Sequence, residues 1–259
     1  MRKMIIPLRR FLLLSVSTAI VLTLSASLRA ADENDQGELV FNGKDFTGWK
    51  MRDTRPGRAE VWSVASDVKL NPDNHRQLIA TGKGNGPDGI MFRSGEGDSG
   101  GQSGTDILTD KKFGDCQVHC EFMIPEKSNS GVYLMGEYEV QIWSDIGTPT
   151  NKLSTHNTGA IYSTKPPPSV ELKPYGQWNT FDIVFQAPRF DANGNKTQNA
   201  KFISVTLNGK KIQENVDTPK PTGGQVKAKE VPVGPLMLQG DHGPVAFRNV
   251  RVKSLQSAQ

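Results

Sequence analysis

Between Asn129 and Asp145 the chain reads NSGVYLMGEYEVQIWSD, where carboxylate, amide, phenol and indole side chains alternate with apolar ones. Val132, Leu134, Val140 and Ile142 share one parity, while Tyr133, Glu139, Gln141 and Trp143 share the other, as in strands that bury one face and present the second. Such a presented face combines a proton-transfer group, Glu139, with a hydrogen-bonding amide, Gln141, and two rings that can stack on a ligand, Tyr133 and Trp143. Asn129 opens the stretch and Asp145 closes it. A two-residue turn at Gly136-Glu137 would set Tyr133 opposite Val140 and mix the faces. A three-residue connection, Gly136-Glu137-Tyr138, sets Tyr133 opposite Gln141 instead, so a hairpin with a longer turn or a bulge is expected.

The elements that must position this face are strands. Val118, Cys120, Phe122 and Ile124 alternate with Gln117, His119, Glu121 and Met123, and this segment is expected to pair with Gly131–Met135 through the PEKSN connection. Glu121 and His119 would then join Tyr133, Glu139, Gln141 and Trp143 on one face. Further strands are expected at LVFNGKDFTGWK (39–50), VWSVASDVKL (61–70), Thr158–Tyr162, WNTFDIVFQ (178–186), Lys201–Leu207, Lys211-Ile212, LMLQGDHG (236–243) and VAFRNVRVKSL (245–255). Asn208-Gly209 is the strongest hairpin signal, and the KPPPS segment excludes both helix and central strand. Glycine-rich sequence over 84–106 predicts a long loop anchored by Ile90, Met91 and Phe92, poorly ordered between Gly95 and Gly104. A Pro- and Lys-rich excursion spans Thr218–Pro232. No helical period persists over ten residues after the leader. Short alternating strands separated by turns therefore predict an all-β fold, an antiparallel two-sheet sandwich with one domain over 37–255.

Residues 1–30 read as a signal peptide: Arg2, Lys3, Arg9 and Arg10 precede an apolar run from Phe11 to Leu24, then small residues. These thirty residues hold five of the 31 Lys and Arg and none of the 27 Asp and Glu, so the remainder carries 26 basic against 27 acidic side chains. A nearly neutral domain gives no electrostatic case for nucleic acid, and with the leader removed no membrane segment is expected. Cys116 and Cys120, four apart on a strand, would lie about 13 Å apart, beyond disulfide reach, and read as small buried hydrophobes. The four His have no metal-ligand spacing, so no metal or other cofactor is expected. Oligomeric state is not indicated.

LVFNGKDFTGW, W-S-V, F-G-D, NSGVYL, YEVQIWSD, TGAIY, GQWN, LNGKKI and LQGDHGPVAFRNVRVKSL, in that order over nearly the whole chain after the leader, resemble the bacterial 3-keto-disaccharide hydrolase domain family. The resemblance implies a concanavalin A-like jelly roll related to lectins and glucanases, a carbohydrate substrate and a secreted or periplasmic enzyme. The glycine-rich loop, the Pro/Lys excursion and Cys116, where an aromatic would be expected, depart from the family pattern. Direct glycosidic hydrolysis needs two facing carboxylates, but Gln141 and Trp143 follow Glu139 on the strand. A 3-keto sugar needs less: its ketone acidifies C2–H, so one base, donors for the enolate oxygen and a proton for the leaving group suffice. Glu139, Asp145 and His242 are the candidates for base and acid. Gln141, Asn129 and Arg248 are candidates for orienting donors, with Tyr133, Trp143, Glu121 and Gln239 completing the binding set. The rival readings are a non-catalytic carbohydrate-binding module and a conventional glucanase.

Overall fold

The computed structural model describes residues 37–53, 61–97, 104–224, 226 and 229–255. The leader at 1–30 and most of the Gly95–Gly104 segment lie outside the described residues.

Antiparallel strands make up this fold, with a short 3-10 turn at Thr150–Lys152. Why strands form is plainest at Asn179–Gln186, NTFDIVFQ, where every second residue is buried. The larger sheet contains β1 (Glu38–Leu39), β3 (Trp62–Ala65), β6 (Ile90–Arg93), β8 (Cys116–Met123), β11 (Asn179–Gln186), β14 (Ala200–Leu207), β15 (Lys210–Thr218) and β17 (Val245–Ser254). Its order is β15-β14-β11-β8-β17-β6-β3, with β1 also paired to β17. The smaller sheet, which carries the site, contains β2 (Trp49–Met51), β7 (Ile107–Phe113), β9 (Asn129–Leu134), β10 (Tyr138–Trp143) and β16 (Gly234–Leu238), in the order β10-β9-β16-β7-β2. Two small ribbons complete the fold, β4 (Asp67–Leu70) with β5 (Leu78–Thr81), and β12 (Arg189–Phe190) with β13 (Lys196–Gln198).

Each sheet lends one parity to a shared core. Phe122, Phe181, Phe185, Phe202 and Phe247 of the larger sheet are packed in one cluster with Val132, Leu134, Val140, Ile142 and Leu238 of the smaller. The β14–β15 turn at Asn208-Gly209 has φ 51° and 81°, the paired positive values that a two-residue hairpin turn of this hand requires. Cys116 and Cys120 are buried on the core side of β8 as free thiols, and burial pushes the Cys116 thiol up to about 12.

Several pairings differ from the expectation. β9 and β10 form a hairpin whose three-residue connection is Met135-Gly136-Glu137, with φ 59° at Met135 and 66° at Gly136. That register sets Tyr133 opposite Glu139, two residues from the expected Gln141, and preserves the parity because the shift is even. β8 does not pair with β9: its two edges are taken by β11 and β17, and the PEKSN connection crosses from one sheet to the other. Gly159–Tyr162 is not a strand but a turn-rich segment whose backbone bonds the free edge of β10 through Gly159, Ala160 and Tyr162. Within the glycine-rich region, Ile90–Arg93 forms a buried strand between β3 and β17.

Phe122 is fully buried at the centre of this packing, with its ring centroid 4.9 Å from that of Phe181. Phe122→Ala is expected to cost about 3–5 kcal/mol, read as a lowered denaturant midpoint with an unchanged slope.

Candidate functional site

The outer face of the smaller sheet bears the chemistry, because the inner parity is spent on the core. Across β10, β9 and β16 the register builds three rows. Glu139 lies opposite Tyr133, which lies opposite Met237. Gln141 lies opposite Gly131, whose carbonyl accepts the Gln239 N–H at 2.9 Å. Trp143 lies opposite Asn129. Loops at the ends of β2, β7 and β16 and the Pro/Lys excursion stand around these rows and enclose a cavity of about 560 Å³, within the usual range for a small-ligand site. Its wall includes Arg52, Asp106, Asn129, Tyr133, Glu139, Gln141, Tyr162, Gly224, Gln239, Asp241 and His242.

Glu139 is buried in that wall and held from two sides. Its side chain is 2% exposed, Tyr133 Oη donates to its Oε2 at 2.8 Å, and its backbone N–H donates to Thr222 Oγ1 at 2.9 Å. Burial, with added repulsion from Asp106 and Asp241, raises its carboxyl to about 8 against the opposing hydrogen bond from Tyr133. Burial and the adjacent Glu139 carboxylate likewise push the Tyr133 phenol well up, so it serves as a donor. Gly131 makes room for this arrangement: a Cβ there would stand 2.2 Å from Glu139 Oε1. The carboxylate thus folds over the backbone of the neighbouring strand.

The remaining polar groups hold the loops. Asp106 accepts from Arg52 Nη1 at 3.0 Å and from the Gly240 N–H at 3.1 Å, and Arg52 also donates to the Gly224 carbonyl at 2.6 Å. Burial and the nearby Asp241 raise the Asp106 carboxyl, opposed by those two donors. Asp241 pairs with Nδ1 of His242. Gly240 and Gly243 let this loop close on its neighbours, since a Cβ would meet the Trp62 ring at 2.5 Å in the first case and the Asn129 backbone at 2.8 Å in the second.

Of the residues singled out from sequence, Glu139, His242, Asn129, Tyr133, Gln141 and Gln239 line the cavity together. Trp143 shares their sheet face but does not line the cavity. Asp145 is also outside it: the carboxylate is buried and accepts from the Thr158 N–H and Asn157 Nδ2, both at 2.8 Å, pinning the turn that edges β10. Glu121 and Arg248 are corrected more sharply. They form an ion pair at 2.7 Å on the outer face of the larger sheet, with Arg248 over the Trp178 ring and His119 held nearby by Asp182. Their parity was expected to serve the site, but β8 belongs to the other sheet. Arg52, Asp106, Tyr162, Gly224 and Asp241 were not anticipated, because they sit in connections that strand pairing brings together from distant parts of the chain. The available signal was their position immediately beside buried strands, as in D-I-L at 106–108 and LQGDH at 238–242.

Residues 37–253 match the profile of the 3-keto-alpha-glucoside-1,2-lyase-like domain. Among solved structures, the chain is similar to a candidate glycosyl hydrolase from Parabacteroides distasonis, with 27% identity, a TM-score of 0.59, and coverage of 85% of this chain and 84% of that one. A second candidate glycosyl hydrolase from the same organism shares the fold at 22% identity and a TM-score of 0.52, covering 87% of this chain and 97% of that one. No curated protein is a match. The chain belongs to the 3-keto-alpha-glucoside-1,2-lyase-like domain family.

Two outcomes follow from this geometry. Gly131→Ala is compatible with a strand backbone but displaces the Glu139 carboxylate, so it is expected to break the Tyr133–Glu139 hydrogen bond, visible in a crystal structure of the variant. Glu121→Ala and Arg248→Ala, on the far sheet, are expected to leave sugar binding unchanged in a calorimetric titration.

Proposed function

We propose that this member of the family cleaves 3-keto-glucosides outside the cytoplasm, by elimination across C1 and C2 followed by hydration. Family membership supports the substrate class, and one observation supports the chemistry: a buried carboxylate, Glu139, raised to about 8 and lining the cavity, with no cationic side chain among the described residues paired to it. A base of that strength suits removal of a proton from carbon next to a ketone.

In this mechanism Glu139 takes the C2 proton through Oε1, the oxygen over Gly131, while Tyr133 holds Oε2. The electron pair of the C2–H bond forms the C1=C2 double bond as the C1–O bond to the aglycone breaks. Negative charge that gathers on the C3 carbonyl oxygen is met by hydrogen-bond donors of the wall. Gln141 is the donor set for this: its Oε1 accepts the Ile142 N–H at 3.0 Å, which commits the oxygen and fixes the amide. His242, oriented by Asp241 at Nδ1, supplies the proton to the departing oxygen. Water then adds at C1 and gives its second proton to His242, while Glu139, whose carboxyl proton exchanges with solvent, delivers a proton to C2, so both groups end in their starting states.

Asp106 and Asp241 in the same cavity are the observation that favours the second reading, two-carboxylate hydrolysis of an ordinary glucoside. Both Asp106 oxygens are already committed, to Arg52 and Gly240, and Asp241 is committed to His242. Turnover of a methyl 3-keto-α-glucoside with methyl α-glucoside as control separates the readings: the keto sugar alone is expected to react. Preference for the unoxidised sugar would favour the two-carboxylate route, and binding of either without turnover would favour a lectin-like module.

Glu139→Gln is expected to lower turnover by about 10²- to 10⁴-fold while sugar binding changes little. The base form of Glu139 accumulates as pH rises, so the limb of the kcat/KM profile that reports Glu139 is expected to rise through about 8. Stability runs the other way. A carboxyl raised from 4.5 to about 8 on folding contributes fully below 4.5 and loses that contribution as pH rises toward 8. The melting temperature of the parent relative to Glu139→Gln is therefore expected to fall across that window.

A further inference from the structure

The two rings that the site strands offer for stacking are withdrawn from the cavity. Tyr133 is 2% exposed with its hydroxyl committed to Glu139, and Trp143 does not line the cavity. Tyr162 takes the place they leave. It lines the cavity and is half-buried, so its ring is presented to a ligand from a wall whose other side chains carry polar groups.

Backbone pairing fixes where that ring stands. Ile161 bridges Val140 across the free edge of β10, and both are fully buried, so the next residue, Tyr162, faces outward with Glu139. The Tyr162 N–H donates to the Glu139 carbonyl at 3.2 Å, which extends the row to Tyr162, Glu139 and Tyr133. The chain then turns at once: the Ile161 carbonyl accepts the N–H groups of Thr164 and Lys165, both at 2.9 Å, and Ser163 has φ 55°. The His156 ring meets that of Tyr162 edge-on, with centroids 5.1 Å apart and planes at 85°. From the excursion, Gly223 stands beside Tyr162, where a Cβ would come to 3.7 Å from Cε1. The Glu139 carboxylate leans away from this ring, toward Gly131 on β9.

We propose that Tyr162 is the platform on which the keto-sugar ring rests while Glu139 reaches C2, and that it selects the gluco over the galacto configuration at C4. This rests on the elimination reading above. Glu139 and Tyr162 rise from one sheet face in one row, on backbones roughly 5 Å apart. The sugar face turned to the base therefore also meets the phenol ring. In a gluco-configured chair the hydrogens of C2 and C4 are axial on the same face, so the face that offers its C2 proton is apolar at both carbons. Such a face packs on an aromatic ring by dispersion. The galacto epimer carries its C4 hydroxyl on that face, which holds the sugar off Tyr162 and moves C2 away from Glu139.

The test measures kcat/KM on methyl 3-keto-α-glucoside and its C4 epimer, methyl 3-keto-α-galactoside, for the parent, Tyr162→Phe and Tyr162→Ala. The parent is expected to favour the glucoside by about tenfold or more. Tyr162→Phe, which keeps the ring, is expected to hold that ratio and to stay within about twofold of the parent. Tyr162→Ala is expected to lose about tenfold on the glucoside and little on the galactoside, so the preference largely disappears. Melting curves establish that the variants fold, and Tyr162→Leu replaces the alanine variant if that one does not. A parent indifferent to C4, an alanine or leucine variant with the parent's ratio, or a Phe variant as impaired as the alanine one would each overturn the proposal while leaving the elimination reading intact. If the parent turns over neither keto sugar, the elimination reading fails, and calorimetric binding of methyl α-glucoside and methyl α-galactoside to the same variants decides the platform by the same ratios; no binding overturns it too.

Discussion

A carboxylate with its charge withdrawn from water is the constraint around which this molecule is arranged. Glu139 faces outward from the sandwich and would be solvated if the smaller sheet stood bare. Instead, loops from distant parts of the chain close over it, and its side-chain donor among the described residues is a phenol on the adjacent strand. Desolvation then outweighs that hydrogen bond and raises the carboxyl to about 8. The same burial makes the carboxylate a burden on the fold once it ionises.

Everything that positions Glu139 is backbone first. The even register shift in the β9–β10 hairpin sets Tyr133 directly opposite, Gly131 yields its side-chain space diagonally, and Thr222 of the excursion binds the Glu139 N–H. Arg52 ties Asp106, at the start of β7, to Gly224 of the same excursion. Gly223 and Gly224 of the Pro/Lys-rich segment thus line the cavity. The larger sheet contributes no side chain to this wall. Its role is to cover the inner face with phenylalanines, so that the outer face is free for polar work.

Much of this was legible in the residues themselves. Alternation identified the strands, Asn208-Gly209 identified a hairpin, and the polar parity of YEVQIW identified the face that carries the site. Parity was robust because it needs only the two-residue period of a strand. Pairing was harder: Glu121 and Arg248 have an outward parity as clear as that of Glu139, but nothing local says which sheet their strands join. β8 follows the familiar hairpin expectation in sequence and violates it in space, because both of its edges are occupied by strands from far downstream. Asp145 shows a related limit, since a carboxylate just beyond a site strand looks the same whether it serves the cavity or pins a turn. Arg52 and Asp106 became site residues only through the long-range closure of loops.

The central claim, that Glu139 removes the C2 proton of a keto sugar before the glycosidic bond is lost, is tested most directly with isotope. Methyl 3-keto-α-glucoside carrying deuterium at C2 is followed with the parent protein in ordinary water. The account predicts turnover slowed several-fold relative to the protonated sugar, with the label released to solvent and absent from the first-formed product. Cleavage at an unchanged rate with deuterium still on C2 would contradict it.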